Sequence, residues 1–170
     1  MPGLVEGHSH LFEGALWSKL YCGYFDRQKP DGTMSISIKN VKELVQKLKH
    51  ENETLLDPNA PLAGWGLDPI YFDDKALDRK ILDAVSDQRP IGILHASGHK
   101  LNINSVGLKL AGFLRTGINH EGLPLGDDGL PSGEIRGAET IALVTRHVGL
   151  GKDWLSGDAE GLRNFGKICA

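Results

Sequence analysis

The sequence predicts an α/β fold built on parallel strands, and three observations carry that reading. Short apolar runs rich in glycine alternate with stretches whose apolar residues recur at helical spacing, the pattern of strands joined by crossover helices. At 170 residues the chain is long enough for one domain with a sizeable core. Its 40% hydrophobic and 24% charged residues are those of an ordinary globular protein, which excludes wholesale disorder. No internal repeat or low-complexity segment interrupts the pattern.

The elements follow in order. Leu4-Val5-Glu6 reads as a short strand. Residues 26–35, with Pro30-Asp31-Gly32, read as a turn or loop. Ile38, Val41, Leu44, Val45 and Leu48 then recur at helical spacing, predicting an amphipathic helix over 37–50. Asp57-Pro58-Asn59-Ala60-Pro61 ends that region and leads into a buried strand, Leu62-Ala63-Gly64-Trp65-Gly66. A second helix is expected from Asp73, a good N-cap, with Leu77, Ile81, Leu82 and Val85 turned inward and Arg89-Pro90 as its stop. Ile91-Gly92-Ile93-Leu94-His95 is the next strand. Asn104 or Ser105 can cap a helix over 106–111 closed by Gly112. Residues 113–133, dense in Gly, Pro and Asp, read as an irregular excursion or hairpin. Helices are expected over 138–148, ended by Gly149, and over 158–168.

Bulk properties exclude several classes. Net charge is −3, and the only basic run, Lys47-Leu48-Lys49, reads as a solvated helix face, so no nucleic-acid partner is expected. No apolar run approaches the ~18 residues that span a bilayer, so no membrane partner is expected either. The start lacks a charged segment followed by an apolar one, which sets a cytoplasmic location as the expectation. Cys22 and Cys169 fit no Cys-x-x-Cys pattern and read as two reduced thiols.

The chemistry-bearing stretch is Pro2-Gly3-Leu4-Val5-Glu6-Gly7-His8-Ser9-His10. A bare His-x-His is weak evidence, because such pairs are frequent on solvent-facing surfaces. At the end of an extended run, however, residues 8 and 10 project from one side of the chain, where two imidazoles can grip one transition-metal ion. The flanking Pro-Gly turn, apolar pair and acidic residue add context.

This stretch resembles the opening of the amidohydrolase superfamily, the metal-dependent hydrolases, in which such a motif ends the first barrel strand. Further words agree in order with one branch of that family, amidohydrolase family 3. They are Gly64-Trp65-Gly66-Leu67-Asp68, the run Leu82-Asp83 through Ser86 to Arg89-Pro90, then Ser97-Gly98-His99, Asn104-Ser105 and Asp128-Gly129-Leu130-Pro131-Ser132-Gly133. One departure stands out. The branch often carries a Glu four residues past the last glycine, where this chain has Gly137, with Glu139 two places on.

The resemblance implies a (β/α) barrel enzyme with one or two divalent metals at the C-terminal ends of its strands. The metal lowers the pKa of a water and polarises the carbonyl under attack. His8 and His10 are the metal ligands it places in this chain; the remaining ligands and a proton-shuttling Asp match nothing here. A complete TIM barrel needs at least ~200 residues. The expected fold is therefore a partial barrel fragment, one domain over 1–170. In it, 1–25 hold the first barrel strand with His-x-His, 26–150 form an insertion-like α/β region with an irregular Gly/Pro-rich part, and 151–170 a C-terminal helix.

The implied cofactor is a divalent metal, zinc by its ligand chemistry if the site is completed. His120 and Glu121, or a second chain in a homo-dimer, could complete it. The implied substrate is a small non-peptide amide cleaved at its C–N bond, with Trp65, Asp68 and His99 on the substrate side. Each has a plainer reading: Trp65 as core packing, Asp68-Pro69 as a turn, and neighbouring His95 as a hydrogen-bonded core histidine. His99 is expected on the substrate side because a βα loop should lie there, and in a barrel such loops form the functional face. The competing class is a non-catalytic α/β module that binds a ligand or pairs with itself.

Overall fold

The structure, a computed structural model, describes residues 13–72 and 77–151, together with Ala159, Leu162, Arg163 and Gly166. His8, His10 and the expected strand at 4–6 lie outside the described residues, as do Asp73 and most of the expected helix at 158–168. The four described positions of that last segment include Ala159, Leu162, Arg163 and Gly166, all helical.

In chain order the described elements are α1 (Glu13–Leu16), β1 (Leu20–Tyr21), β2 (Arg27–Gln28), β3 (Met34–Ser35), α2 (Val41–Thr54) and β4 (Leu62–Leu67). A 3-10 turn (Pro69–Tyr71) follows, then α3 (Arg79–Asp83), β5 (Ile91–His95), β6 (Lys100–Ile103), α4 (Ser105–Leu110), β7 (Glu134–Arg136), α5 (Ala138–Val144) and a closing 3-10 turn (Thr145–His147). Five strands form one sheet in the order β1-β4-β5-β6-β7, and β2 and β3 form a separate antiparallel hairpin.

Half of the sheet meets the expectation of parallel strands. Leu20 of β1 lies opposite Gly64 of β4, and Leu62 of β4 opposite Ile91 of β5, both pairs parallel. The other half corrects it. After β5 the chain turns back, so that Leu94 pairs with Leu101 of β6 and Leu101 with Ile135 of β7, both antiparallel. The fold is thus mixed α/β. The turn-back needs no crossover because residues 96–99 form a tight hairpin connection, with Gly98 N donating to the His95 carbonyl at 3.0 Å.

Side chains alternate across the sheet and fill a core on each face. Ala63, Trp65, Leu94, Leu101, Ile103 and Ile135 pack with Leu108, Ile141, Val144 and Val148 on one side. Leu62, Leu67, Ile91 and Ile93 pack with Cys22, Leu44, Leu48 and Leu82 on the other. Helices α4 and α5 cover the first face, α2 and α3 the second.

Capping explains where the helices depart from their expected bounds. α2 starts at Val41 because Asn40 Oδ1 accepts from Glu43 N at 2.9 Å while Glu43 reaches back to Lys39 N at 2.8 Å, a reciprocal box. α3 is capped by Asp78, whose Oδ1 accepts from Ile81 N at 2.9 Å; Asp73 does not cap it. α4 begins after Asn104, one of the two caps expected.

The family words in this region build the scaffold. Asn104 is fully buried. Its Oδ1 accepts from Ile91 N at 3.0 Å and Gly107 N at 2.9 Å, and its Nδ2 donates to the carbonyls of Ser86 at 3.0 Å and Arg89 at 2.8 Å. Ser105 donates its amide and hydroxyl to Asp83 at 2.8 and 2.7 Å, tying α4 to α3. Buried Arg89 spreads its guanidinium over Asn52 Oδ1 at 2.8 Å and the carbonyls of Leu55 and Ala60, pinning the end of α2.

The Gly/Pro-rich excursion is organised around another buried arginine. Arg79 donates to the Pro131 carbonyl at 3.0 Å and pairs with Asp128, and its backbone N–H meets the Ser132 carbonyl at 2.6 Å. The Arg79 guanidinium holds the Asp128 carboxyl down to about 2, with the Leu130 amide and Lys80 adding to the effect. A carboxylate depressed in the folded state adds stability above its unfolded value of ~3.9 that disappears as pH falls toward the folded value. Acid unfolding between about pH 4 and pH 2 is therefore expected to flatten in Asp128→Asn. Urea midpoints over that range check this; an unchanged acid slope would refute it.

Candidate functional site

The parallel half of the sheet positions a cavity. β1, β4 and β5 run side by side and end together, and residues at and just beyond those ends, Tyr24–Arg27, Gly66, Asp68, His95 and Ala96, line a cavity of about 440 Å³ with Glu13 and Leu16 of α1. Clefts beyond the C-terminal ends of parallel strands are where α/β folds bind ligands, because the departing loops splay apart there.

Tyr21 and Trp65 line the inner wall, with Trp17 packed against both. Trp65 is 3% exposed and meets Trp17 edge-on at 4.9 Å and Tyr21 at 5.1 Å between ring centres. Its Nε1 finds no hydrogen-bond partner among the described residues. Tyr24, Phe25 and Tyr71 form a second group at the rim. Tyr24 stacks on Tyr71 at 4.7 Å, and Phe25 stands edge-on to Tyr71 at 5.2 Å.

The polar groups are carboxylates, one arginine and one imidazole. Glu13 is paired with Arg27. Asp68, half-buried, caps the 3-10 turn by accepting from Ile70 N at 3.2 Å, which sets Tyr71 beside it. Asp26 accepts from Ser37 N at 2.8 Å, and that amide lowers its carboxyl below the ordinary range. His95 closes the floor at 5% exposure. The Asn102 amide nitrogen is engaged with the Leu77 carbonyl, so Asn102 Oδ1 faces His95 and accepts from its Nε2 at 2.5 Å.

Burial pushes the His95 imidazole below its ordinary value, and the Asn102 hydrogen bond offsets this in part. A histidine depressed by folding takes up a proton more readily when unfolded, so stability falls as pH drops below ~6.5. The difference in urea midpoint between pH 8 and pH 5 is expected to shrink in His95→Gln relative to the wild type. Equal pH dependence in both would remove His95 as the cause.

Of the residues expected on the substrate side, the structure brings Trp65 and Asp68 to the cavity, while His99 is exposed and is not among its lining residues. The expected βα loop after β5 is a hairpin turn, in which the His99 carbonyl accepts from Gly137 N at 3.0 Å. His120 and Glu121 line a separate depression beside Arg136 and Glu139, with His120 Nδ1 accepting from Gly122 N at 3.0 Å. The rim aromatics went unremarked in the sequence, although Tyr21-x-x-Tyr24-Phe25 and Tyr71-Phe72 are visible clusters.

The sequence profile described as the amidohydrolase family matches residues 1–147. The chain belongs to the amidohydrolase family. Among curated proteins, this amidohydrolase is 27% identical over 119 residues to the Protein LONG AFTER FAR-RED 3 of Arabidopsis thaliana, a match covering 67% of this chain and 17% of that protein. Among solved structures, it is similar in fold to an uncharacterised metal-dependent hydrolase of Pyrococcus horikoshii. That match has a TM-score of 0.54 and 19% identity, and covers 88% of this chain and 24% of the other. A hydrolase of Pyrococcus furiosus described in the same words matches with a TM-score of 0.53 and 16% identity over 97% of this chain and 28% of its own. The amidohydrolase chain therefore spans about a quarter or less of the length of these relatives.

Membership implies a divalent metal. Among the described residues, no group of three His, Cys, Asp or Glu side chains stands close enough to hold one. His8 and His10, the donor pair expected from the sequence, lie outside the described residues, and Glu13 on the cavity wall follows His10 by three positions in the chain. No described helix is long and apolar enough to cross a membrane.

Proposed function

We propose that this chain is part of a metal-dependent hydrolase that cleaves C–N bonds of small, non-peptide amides. The observation that carries the reading is the cavity at the shared C-terminal end of β1, β4 and β5, walled by the Gly64-Trp65-Gly66-Leu67-Asp68 motif and adjoining the His-x-His segment in sequence. His8 and His10 would hold the ion. When bound, a divalent ion supplies Lewis acidity and an activated water. The chain's own residues do the rest: the aromatic wall excludes water from the amide, and Trp65 and Asp68 present a donor and an acceptor to orient it. Soluble-protein chemistry such as this needs no nucleic-acid or membrane partner.

Metal content tests the proposal. The untagged chain, loaded with zinc and dialysed, is expected to retain close to one ion, and His8→Ala/His10→Ala to retain none. No retained metal in either would overturn it. A second reading, a non-catalytic self-associating module, draws support from the apolar side chains exposed at the cavity rim, Phe25 at 54%, Ile70 at 80% and Tyr71 at 43%. A metal-free dimer in solution is the outcome that reading expects; a metal-bearing monomer would exclude it.

A further inference from the structure

We infer that this cavity, taken as the substrate side of the hydrolase proposed above, selects an uncharged aryl amide, whose carbonyl oxygen accepts from Trp65 Nε1 while its ring lies against Phe25 and Tyr71. Three observations converge on that ligand.

The first is the orphaned indole. Trp65 is 3% exposed and its Nε1 has no partner among the described residues, whereas buried donors in folded proteins almost always have one. An indole N–H can only donate, so its complement is an acceptor such as an amide carbonyl. The same residue lines the cavity, and the inference seats the ligand's acceptor against its indole.

The second is the rim. Phe25 and Tyr71 stay substantially exposed although they pack against each other and Tyr24, which leaves flat apolar surface facing the opening. Lys39 already lies over Tyr24, its ammonium 4.0 Å from the ring centre, and Tyr71 stacks on that ring at 4.7 Å. Two groups at those heights need opposite faces, so Tyr24 is filled on both sides and the ligand meets Tyr71 and Phe25. Aryl groups pair with such surfaces edge-on or offset-stacked.

The third is charge. Glu13 and Arg27 offset each other's charge as an ion pair. Asp26 and Asp68 also line the cavity, and each accepts a backbone amide but forms no ion pair among the described residues. Their negative charge disfavours an anionic ligand. An amide bearing its own carboxylate, as an N-acyl amino acid does, is disfavoured; an uncharged one is not. The volume of about 440 Å³ is ample for a ring and one amide group.

The experiment is calorimetric titration of the metal-free, full 170-residue chain with three probes: acetanilide, N-ethylaniline, which lacks the carbonyl, and 4-acetamidobenzoate, which adds a carboxylate. Acetanilide is expected to bind about fivefold more tightly than N-ethylaniline, the worth of one hydrogen bond, and about tenfold more tightly than 4-acetamidobenzoate. Trp65→Phe keeps the ring and removes the donor. It is expected to bring acetanilide down to the affinity of N-ethylaniline while leaving the latter unchanged, a selective loss that general loosening of the fold would not produce. Asp68→Asn is expected to narrow the penalty on the anion. If Trp65→Phe does not fold, the ratios in the wild type decide alone. Equal affinities for acetanilide and N-ethylaniline, tighter binding of the anion, or no saturation by acetanilide at millimolar concentration would each overturn the inference. Loss of the hydrolase reading shows separately, in the metal content, and leaves these ratios untouched.

Discussion

Replacing Asn104 by Ala is expected to destabilise the protein by about 4 kcal/mol or more and to lower its melting temperature by roughly 10 °C. The side chain is fully buried and spends all four of its hydrogen-bonding positions: two amides satisfied by Oδ1, two carbonyls by Nδ2. Alanine leaves four buried backbone groups without partners and removes the cap of α4, and each orphaned group costs on the order of 1–3 kcal/mol. Asn104→Asp is expected to do little better. It retains an acceptor for Ile91 N and Gly107 N but turns a second oxygen toward the carbonyls of Ser86 and Arg89, and it buries a charge without a counter-ion. Differential scanning calorimetry of the three proteins checks this, and a shift under 3 °C for Asn104→Ala would show that the bonds contribute little net.

The second large effect is expected at Gly133. Its φ of +98° is one that L residues rarely adopt, and an added Cβ would stand 2.4 Å from the Ile103 carbonyl oxygen and 2.9 Å from Arg79 N. Both are backbone atoms, held by the Ile103 N–H bond to the Gly133 carbonyl at 2.8 Å and the Arg79 bond to Ser132 at 2.6 Å, so neither can yield cheaply. Gly133→Ala is expected to cost about 3–5 kcal/mol, backbone strain plus overpacking. Gly112 is the internal control. Its φ is +76°, but an added Cβ meets nothing within 4 Å, so Gly112→Ala bears the conformational cost alone, about 1–2 kcal/mol. The urea midpoints of the two variants separate the clash from the strain; similar losses at both sites would refute the clash.

Both positions belong to family words, Asn104-Ser105 and Asp128-Gly129-Leu130-Pro131-Ser132-Gly133. The structure accounts for them by what they hold together. Asn104 and Asp83 tie α4 to α3 and to the edge of β5, and Gly133 lets the excursion pass against β6 so that Arg79 can reach Asp128 and Pro131. These residues serve the fold, whereas Trp65 stands at the cavity with an indole N–H that has no partner among the described residues, and Asp68 there carries a charge without an ion pair among them.

By itself the sequence determined the presence of both helices and strands, strands over 62–66 and Ile91–His95, the amphipathic α2, a cap at Asn104 or Ser105 and the kinship with amidohydrolases. Those features are local: apolar periodicity, a capping side chain and motif order are written into contiguous residues. Only the tertiary structure decided that β6 and β7 run back antiparallel. Lys100–Ile103 and Glu134–Arg136 are four and three residues long and mix charge with apolar groups, so neither shows a pattern until pairing across 30 residues of intervening chain sets its register. The cavity is non-local in the same way. Tyr24 and Tyr71 meet because β1 and β4 pair in parallel and end together, which brings Glu13, Trp65, Asp68 and His95 around one space, and no spacing along the chain records that meeting. The same geometry left His99 on an exposed hairpin turn, since the direction in which a strand's successor runs is settled by packing rather than by the residues of the turn alone.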